Sequence, residues 1–116
     1  MDNSNKITIG SAIIVYMLLK NLVLGDMPVS DKLNLIDTMG SFRKIASDFE
    51  VTKSDIVEKM PESTEEERRE AIAIKANEII DIPEIKKINE TSFGCLLEAN
   101  KSLSLQQAVS LKQVLC

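Results

Sequence analysis

The chain has 116 residues, enough for one domain with a modest core spanning residues 1–116. Hydrophobic residues make up 44% and charged residues 28%, which places it among globular rather than disordered chains. Aromatics are 3%, with no Trp, so ring stacking on bases or sugars is disfavoured; the net charge of −4 disfavours a phosphate-backbone partner, and the absence of His removes the commonest general acid–base group and metal ligand.

Residues 6–9 alternate polar and β-branched side chains, which suits a very short strand. Ser11 is then placed to cap a first helix over about 11–24, with Gly25 at its C′ position. This is the most apolar stretch of the chain, but Lys20 and Asn21 interrupt it. It falls short of the roughly 20 apolar residues that a membrane span needs. Residues 1–6 carry Asp2 against Lys6, and no small-residue cleavage site follows, so a signal peptide is not expected either. The expectation is a helix buried on most sides in a protein core or at an oligomer interface, in a cytoplasmic protein.

The short connection 25–29 implies an antiparallel neighbour. From residue 30, Leu35, Met39, Phe42, Ala46, Phe49, Lys53, Ile56 and Met60 recur in steps of four and three, a heptad seam with one polar member. Ile36, Ile45 and Val57 widen the stripe. The spacing predicts one long helix over about 30–60, stopped before Pro61. Gly40 costs about 1 kcal/mol against Ala there, and Thr52 to Asp55 offers a break and restart. A register kept across the whole span favours one helix.

Ser63 with Glu66, and Thr64 with Glu67, both have the spacing of a capping box. A third helix over about 65–80 follows, acidic in its first turn, with Ile72, Ala76, Ile79 and Ile80 on its apolar face. Ile80 and Ile82 alternate with Asp81, and Pro83 confines any strand there to a sheet edge. This segment can pair with residues 6–9 as a two-stranded ribbon. A small helical pair over about 89–116 ends the chain. Its first helix follows Asn89, carries Phe93, Leu96 and Leu97 and ends at Asn100; its second follows a Ser104–Gln107 capping box and buries Leu105, Ala108, Leu111 and Leu115.

Two cysteines fit neither a disulfide scaffold nor a zinc site. Cys95 reads as a core residue and Cys116 as an exposed, oxidisable thiol. The acidic run 65–70 points around a helix rather than converging. The pairs Arg43-Lys44, Arg68-Arg69 and Lys86-Lys87 are isolated and flanked by acids, so each reads as solvated surface. Gln106, Gln107, Ser110 and Gln113 would be the base-reading side chains of a helix–turn–helix, but the pair lacks that module's third helix. Serines such as Ser92 and Ser102 have no neighbouring base in the sequence to activate them. No catalytic residue, cofactor or metal ligand is assigned.

The opening Lys6-Ile7-Thr8-Ile9-Gly10-Ser11-Ala12, the long helical hairpin, and the ending of an Ile-Pro strand followed by Asn100-Lys101-Ser102-Leu103-Ser104-Leu105-Gln106-Gln107 together resemble small uncharacterised helical proteins encoded in bacteriophage and prophage genomes. The resemblance implies an accessory or morphogenesis role and carries over no functional residue. The fold expected is mainly α: a hairpin with a long second helix, a third helix, a short β-ribbon and the C-terminal helical pair. The function expected is a non-enzymatic protein–protein interaction or assembly factor. Its interface, in a homodimer or with another protein, would draw on Leu35, Met39, Phe42, Phe49, Ile56 and Met60. The alternatives are a small regulator that binds a host protein or DNA through the C-terminal helices, and a non-catalytic subunit of an enzyme complex.

Overall fold

In the computed structural model, which describes residues 6–83 and 85–116, strand and helix meet at the N-terminus without an intervening loop. Strand β1 (Lys6–Thr8) runs straight into α1 (Ile9–Leu19). The N-cap is Thr8, not Ser11: the Thr8 hydroxyl accepts the Ser11 backbone N–H at 3.1 Å. The Ile9 backbone N–H is still held by the Glu78 carbonyl at 3.0 Å, which fixes the point at which sheet becomes helix. The reading of residues 1–5 as lacking a signal sequence lies outside the described residues.

Helix α1 ends at Leu19, short of the 24 expected. Asn21 and Leu22 donate to carbonyls three residues back, so the chain tightens and leaves the helix. Gly25 therefore caps no helix, although it does take a positive φ of 74°. Its role is to let α4 (Glu90–Ala99) approach. A Cβ at Gly25 would lie 3.1 Å from both the Ala99 Cβ and the Cys95 carbonyl oxygen. Asn100, the C-cap of α4, holds the same connection. Its side-chain carbonyl accepts the Val23 N–H at 2.8 Å, and its amide donates to the carbonyls of Val23 (2.6 Å) and Leu96 (2.8 Å).

Helix α2 (Val29–Lys59) is one unbroken element through Thr52 and Asp55. Thr38, Ser41 and Thr52 return their hydroxyls to carbonyls four residues back, so these polar residues are satisfied within the helix. Arg68 ends α2 from α3 (Glu65–Ala76), donating to the carbonyls of Met60 and Pro61 at 3.0 Å each. Arg68 is thus a cap on the negative end of a helix rather than solvated surface. Arg69 is exposed and pairs with Glu65.

Of the two caps expected for α3, Thr64 is the one used. The helix stops at Ala76, not 80, because residues 79–81 form β2 (Ile79–Asp81). That strand pairs antiparallel with β1, placing Lys6 opposite Asp81, Ile7 opposite Ile80 and Thr8 opposite Ile79. Ile79 is accordingly exposed on the ribbon, while Ile80 packs against the core. Asn89 caps α4, and Ser104 forms a complete capping box at the start of α5 (Leu105–Leu115). Leu105, expected on the buried face, occupies the first helical position and is largely exposed. The buried face of α5 instead holds Leu111, Val114 and Leu115.

The core gathers Ala12, Val15 and Leu19 from α1, Leu35 and Phe42 from α2, Phe93 and Leu96 from α4, and the apolar face of α5. Met27 and Ile88 join it from the connections. The linker after β2 is tied to the end of α5: Ile88 N–H donates to the Leu115 carbonyl at 2.8 Å and Lys87 Nζ to the Val114 carbonyl at 2.7 Å. Lys87 is exposed, as expected, yet its ammonium also caps the end of α5. The mainly α architecture with a short antiparallel ribbon is as the sequence predicts.

Two outcomes follow from this packing. Phe42 is fully buried, so Phe42→Ala costs about 3–5 kcal/mol in a denaturant melt; a loss under about 1 kcal/mol would place it outside the core. Gly25→Ala costs about 1–3 kcal/mol, because a non-glycine residue at that φ is strained and the new Cβ meets α4. A melt matching the parent would show that the connection and α4 are not in contact.

Candidate functional site

The long helix α2 has two faces. Its inner face is the predicted heptad seam, and most of that seam is used inside the chain. Leu35, Phe42 and Phe49 are buried, so they cannot serve an interface with another molecule. Met39, Ile56 and Met60 are half-buried. The polar member, Lys53, carries its ammonium over the Phe49 ring at 5.8 Å from the centroid and pairs with Glu50 at 2.8 Å. A lysine is accommodated in the seam because its stem lies along apolar surface while the charge stays wet.

The outer face carries a second stripe that the sequence reading left unassigned. Val29, Leu33, Ile36 and Gly40 recur in steps of four, three and four, and Ser47 and Val51 continue the same line. The large members are 69% (Val29), 56% (Leu33), 51% (Ile36) and 63% (Val51) exposed. Near its N-terminal end the stripe borders a small apolar crevice of about 140 Å³, between Ile36, Leu35 and Met39 of α2 and Leu19, Leu22 and Leu24 of the turn after α1. Scattered apolar side chains are normal on a surface; here four large ones share one helix face. The periodicity of this stripe is visible in the sequence. Which of the two stripes faces inward is decided only by where α1 and α3 pack.

A cleft of about 530 Å³ separates β1 and α1 from α5. Thr8, Ser11, Ile14 and Leu18 line one wall, and Ser104, Gln106, Gln107, Ser110 and Gln113 line the other. These include all four side chains that a DNA-reading helix would have used. They lie across the cleft from α1; Gln106, Gln107 and Gln113 are exposed, and Gln107 is engaged in the α5 capping box. The one cation in the lining, Lys6, is paired with Asp81.

Ser92 has a partner that its sequence neighbourhood does not supply. It is buried, and its hydroxyl donates to the Asp31 carboxylate in the first turn of α2. A hydroxyl with no route to solvent meets no substrate, so this pair joins α2 to α4. Cys95 is half-buried and Cys116 exposed. Burial pushes the Cys116 thiol above its ordinary range; Glu90 adds to this, and Lys112 and Lys87 oppose it. Among the described residues, no three Cys, Asp or Glu side chains converge as a metal-binding group, and no helix is long and apolar enough to cross a membrane.

Comparison with protein-family models, curated proteins and solved structures finds no match to this chain.

The thiolate is the nucleophilic form of cysteine, so Cys116 alkylates at neutral pH more slowly than a free model thiol and speeds up as pH rises beyond the ordinary thiol range. Iodoacetamide labelling followed by peptide mass spectrometry reads this directly. Labelling of Cys116 as fast as the model thiol at pH 7 would show that its partial burial does not hold the proton.

Proposed function

We propose that the chain is a non-enzymatic protein–protein interaction or assembly factor that docks through the outer face of α2. The observation that carries this reading is the row of Val29, Leu33, Ile36 and Val51, each more than half exposed along one side of a 31-residue helix. Such a row gains nothing from water, and roughly 25 cal/mol becomes available for each Å² of it that a partner covers. The opposite side of the same helix builds the core, so the docking surface rests on a rigid element and needs little reordering to bind. The resemblance to small phage-encoded helical proteins supports an accessory or assembly role. The lack of His and the burial of Ser92 support a role without catalysis.

A pull-down from native cells, run in parallel with the double variant Leu33→Asp, Ile36→Asp, tests the reading. Both positions are exposed, so the variant should keep its thermal midpoint within a few degrees, a change of about 0.5 kcal/mol or less per site. Its partner should be lost. A partner retained at the parental level by the folded variant would move the docking surface off this face. Turnover in a hydrolase screen, abolished by a single Asp or Glu substitution, would overturn the non-enzymatic reading.

A further inference from the structure

We infer that the occupant of the outer α2 face is a second copy of the same chain, packed antiparallel with its two-fold axis at Gly40. This rests on the docking surface proposed above and names its partner. The residues on the face are spaced symmetrically about Gly40. Val29 and Val51 lie eleven positions to either side, Leu33 and Ser47 seven, and Ile36 and Lys44 four. An antiparallel two-fold reverses the order along the helix and keeps each flank on its own side. Val29 therefore meets Val51 of the second copy, and Leu33 meets Ser47.

The charges follow the same symmetry. At 3.6 residues per turn, Asp37 and Lys44 fall on one flank of the stripe, and Ile36 and Arg43 on the other. The two-fold brings Asp37 level with position 43 of the second copy, one residue's rise from Lys44 on the same flank. An Asp37–Lys44 pair forms twice, and the stem of Arg43 covers Ile36 twice. None of the three charged residues has an ion-pair partner within its own chain among the described residues, and Asp37, Arg43 and Lys44 are all exposed. A parallel pairing would place like residues side by side and lose both complementarities.

Gly40 fits the axis. A glycine inside a helix is destabilising by about 1 kcal/mol relative to Ala, and no close approach among the described residues requires one: beyond its chain neighbours and its own helix backbone, no atom lies within 4 Å of where its Cβ would sit. At the crossing point of two helices, a missing side chain lets the backbones approach and the flanking residues interlock. The stripe from Val29 to Val51 is about 33 Å long at 1.5 Å per residue and about 10 Å wide. Two such strips cover about 660 Å² in total, below the roughly 1,200 Å² of a standard stable interface. The pairing is accordingly weak and reversible, held in register by its charges, and dissociates on dilution.

The test combines charge reversal with cross-linking in the full chain. By sedimentation equilibrium, Asp37→Lys and Lys44→Asp should each weaken the dimer about tenfold, since two attractive pairs become repulsive. The double variant carrying both should return to the parental affinity. For the geometry, Cys95→Ser, Cys116→Ser chains bearing Leu33→Cys are mixed under mild oxidation with chains bearing Ser47→Cys. The disulfide should form in the mixture and not in either chain alone, where like positions lie about 21 Å apart. A monomer at all concentrations, or charge variants that do not compensate, would overturn the second copy as partner. A dimer broken by Ile56→Asp but not by Leu33→Asp would overturn the face. If the chain is monomeric while the pull-down partner still depends on Leu33 and Ile36, the self-pairing falls and the docking surface stands.

Discussion

Helix α1 has 11 residues and α2 has 31. At 1.5 Å per residue these are about 17 Å and 47 Å long. A two-helix hairpin between partners so unequal leaves most of the long helix uncovered, and the rest of the chain is organised by that deficit. At the far end, α3 doubles back and Arg68 holds the Met60 and Pro61 carbonyls just past the end of α2. In the middle, the ribbon brings Ile80 against the α1–α2 seam, where Ile9, Ile45 and Phe49 line a shallow pocket with it. At the near end, α4 and α5 complete the core that α1 begins. Of the described elements, α1 and α3 pack directly on α2, and α4 is joined to its first turn by the Ser92–Asp31 pair. The outer aliphatic row stays exposed among the described residues.

How much of this could be read from residues alone depended on how local the deciding interaction was. The seam of α2, the Thr64 and Asn89 caps and the Ser104–Gln107 box are set within a few residues of themselves, and each was visible as a spacing. So was the pairing of residues 6–9 with the segment around Ile80, because the alternation and Pro83 mark an edge strand. Thr8 and Ser11 are both good caps. The choice between them is made by Glu78, about seventy positions away, which holds the Ile9 N–H. Gly25 looked like a helix terminator, and only the approach of Ala99 and Cys95 reveals its use. Arg68 and Lys87 looked like ordinary surface cations because the carbonyls they cap belong to other helices. Three of the six residues expected at an interface are spent on the interior for the same reason. Leu35, Phe42 and Phe49 have the right period, and period alone does not say whether a stripe meets its own chain or another.

The two sides of α2 also differ in what they demand of the residues on them. The inner side tolerates one lysine in its seam, and only because Lys53 can lie across Phe49. The outer side mixes aliphatic residues with Asp37, Arg43 and Lys44 at its flanks. In the proposed pairing the charges would set register and direction, and the aliphatic residues would supply the gain on burial. It also resembles the organisation of a non-obligate interface, apolar at its centre and polar at its rim.

The ribbon and the Asn100 clamp hold α1 from both ends. Lys6 meets Asp81 across 75 positions and Val23 meets Asn100 across 77. Joining two points so far apart carries a chain-entropy cost that rises with the logarithm of the intervening length. Each closure encloses the whole of α2 and α3. The first helix is thus fixed by the second half of the chain, and not by its hairpin partner alone.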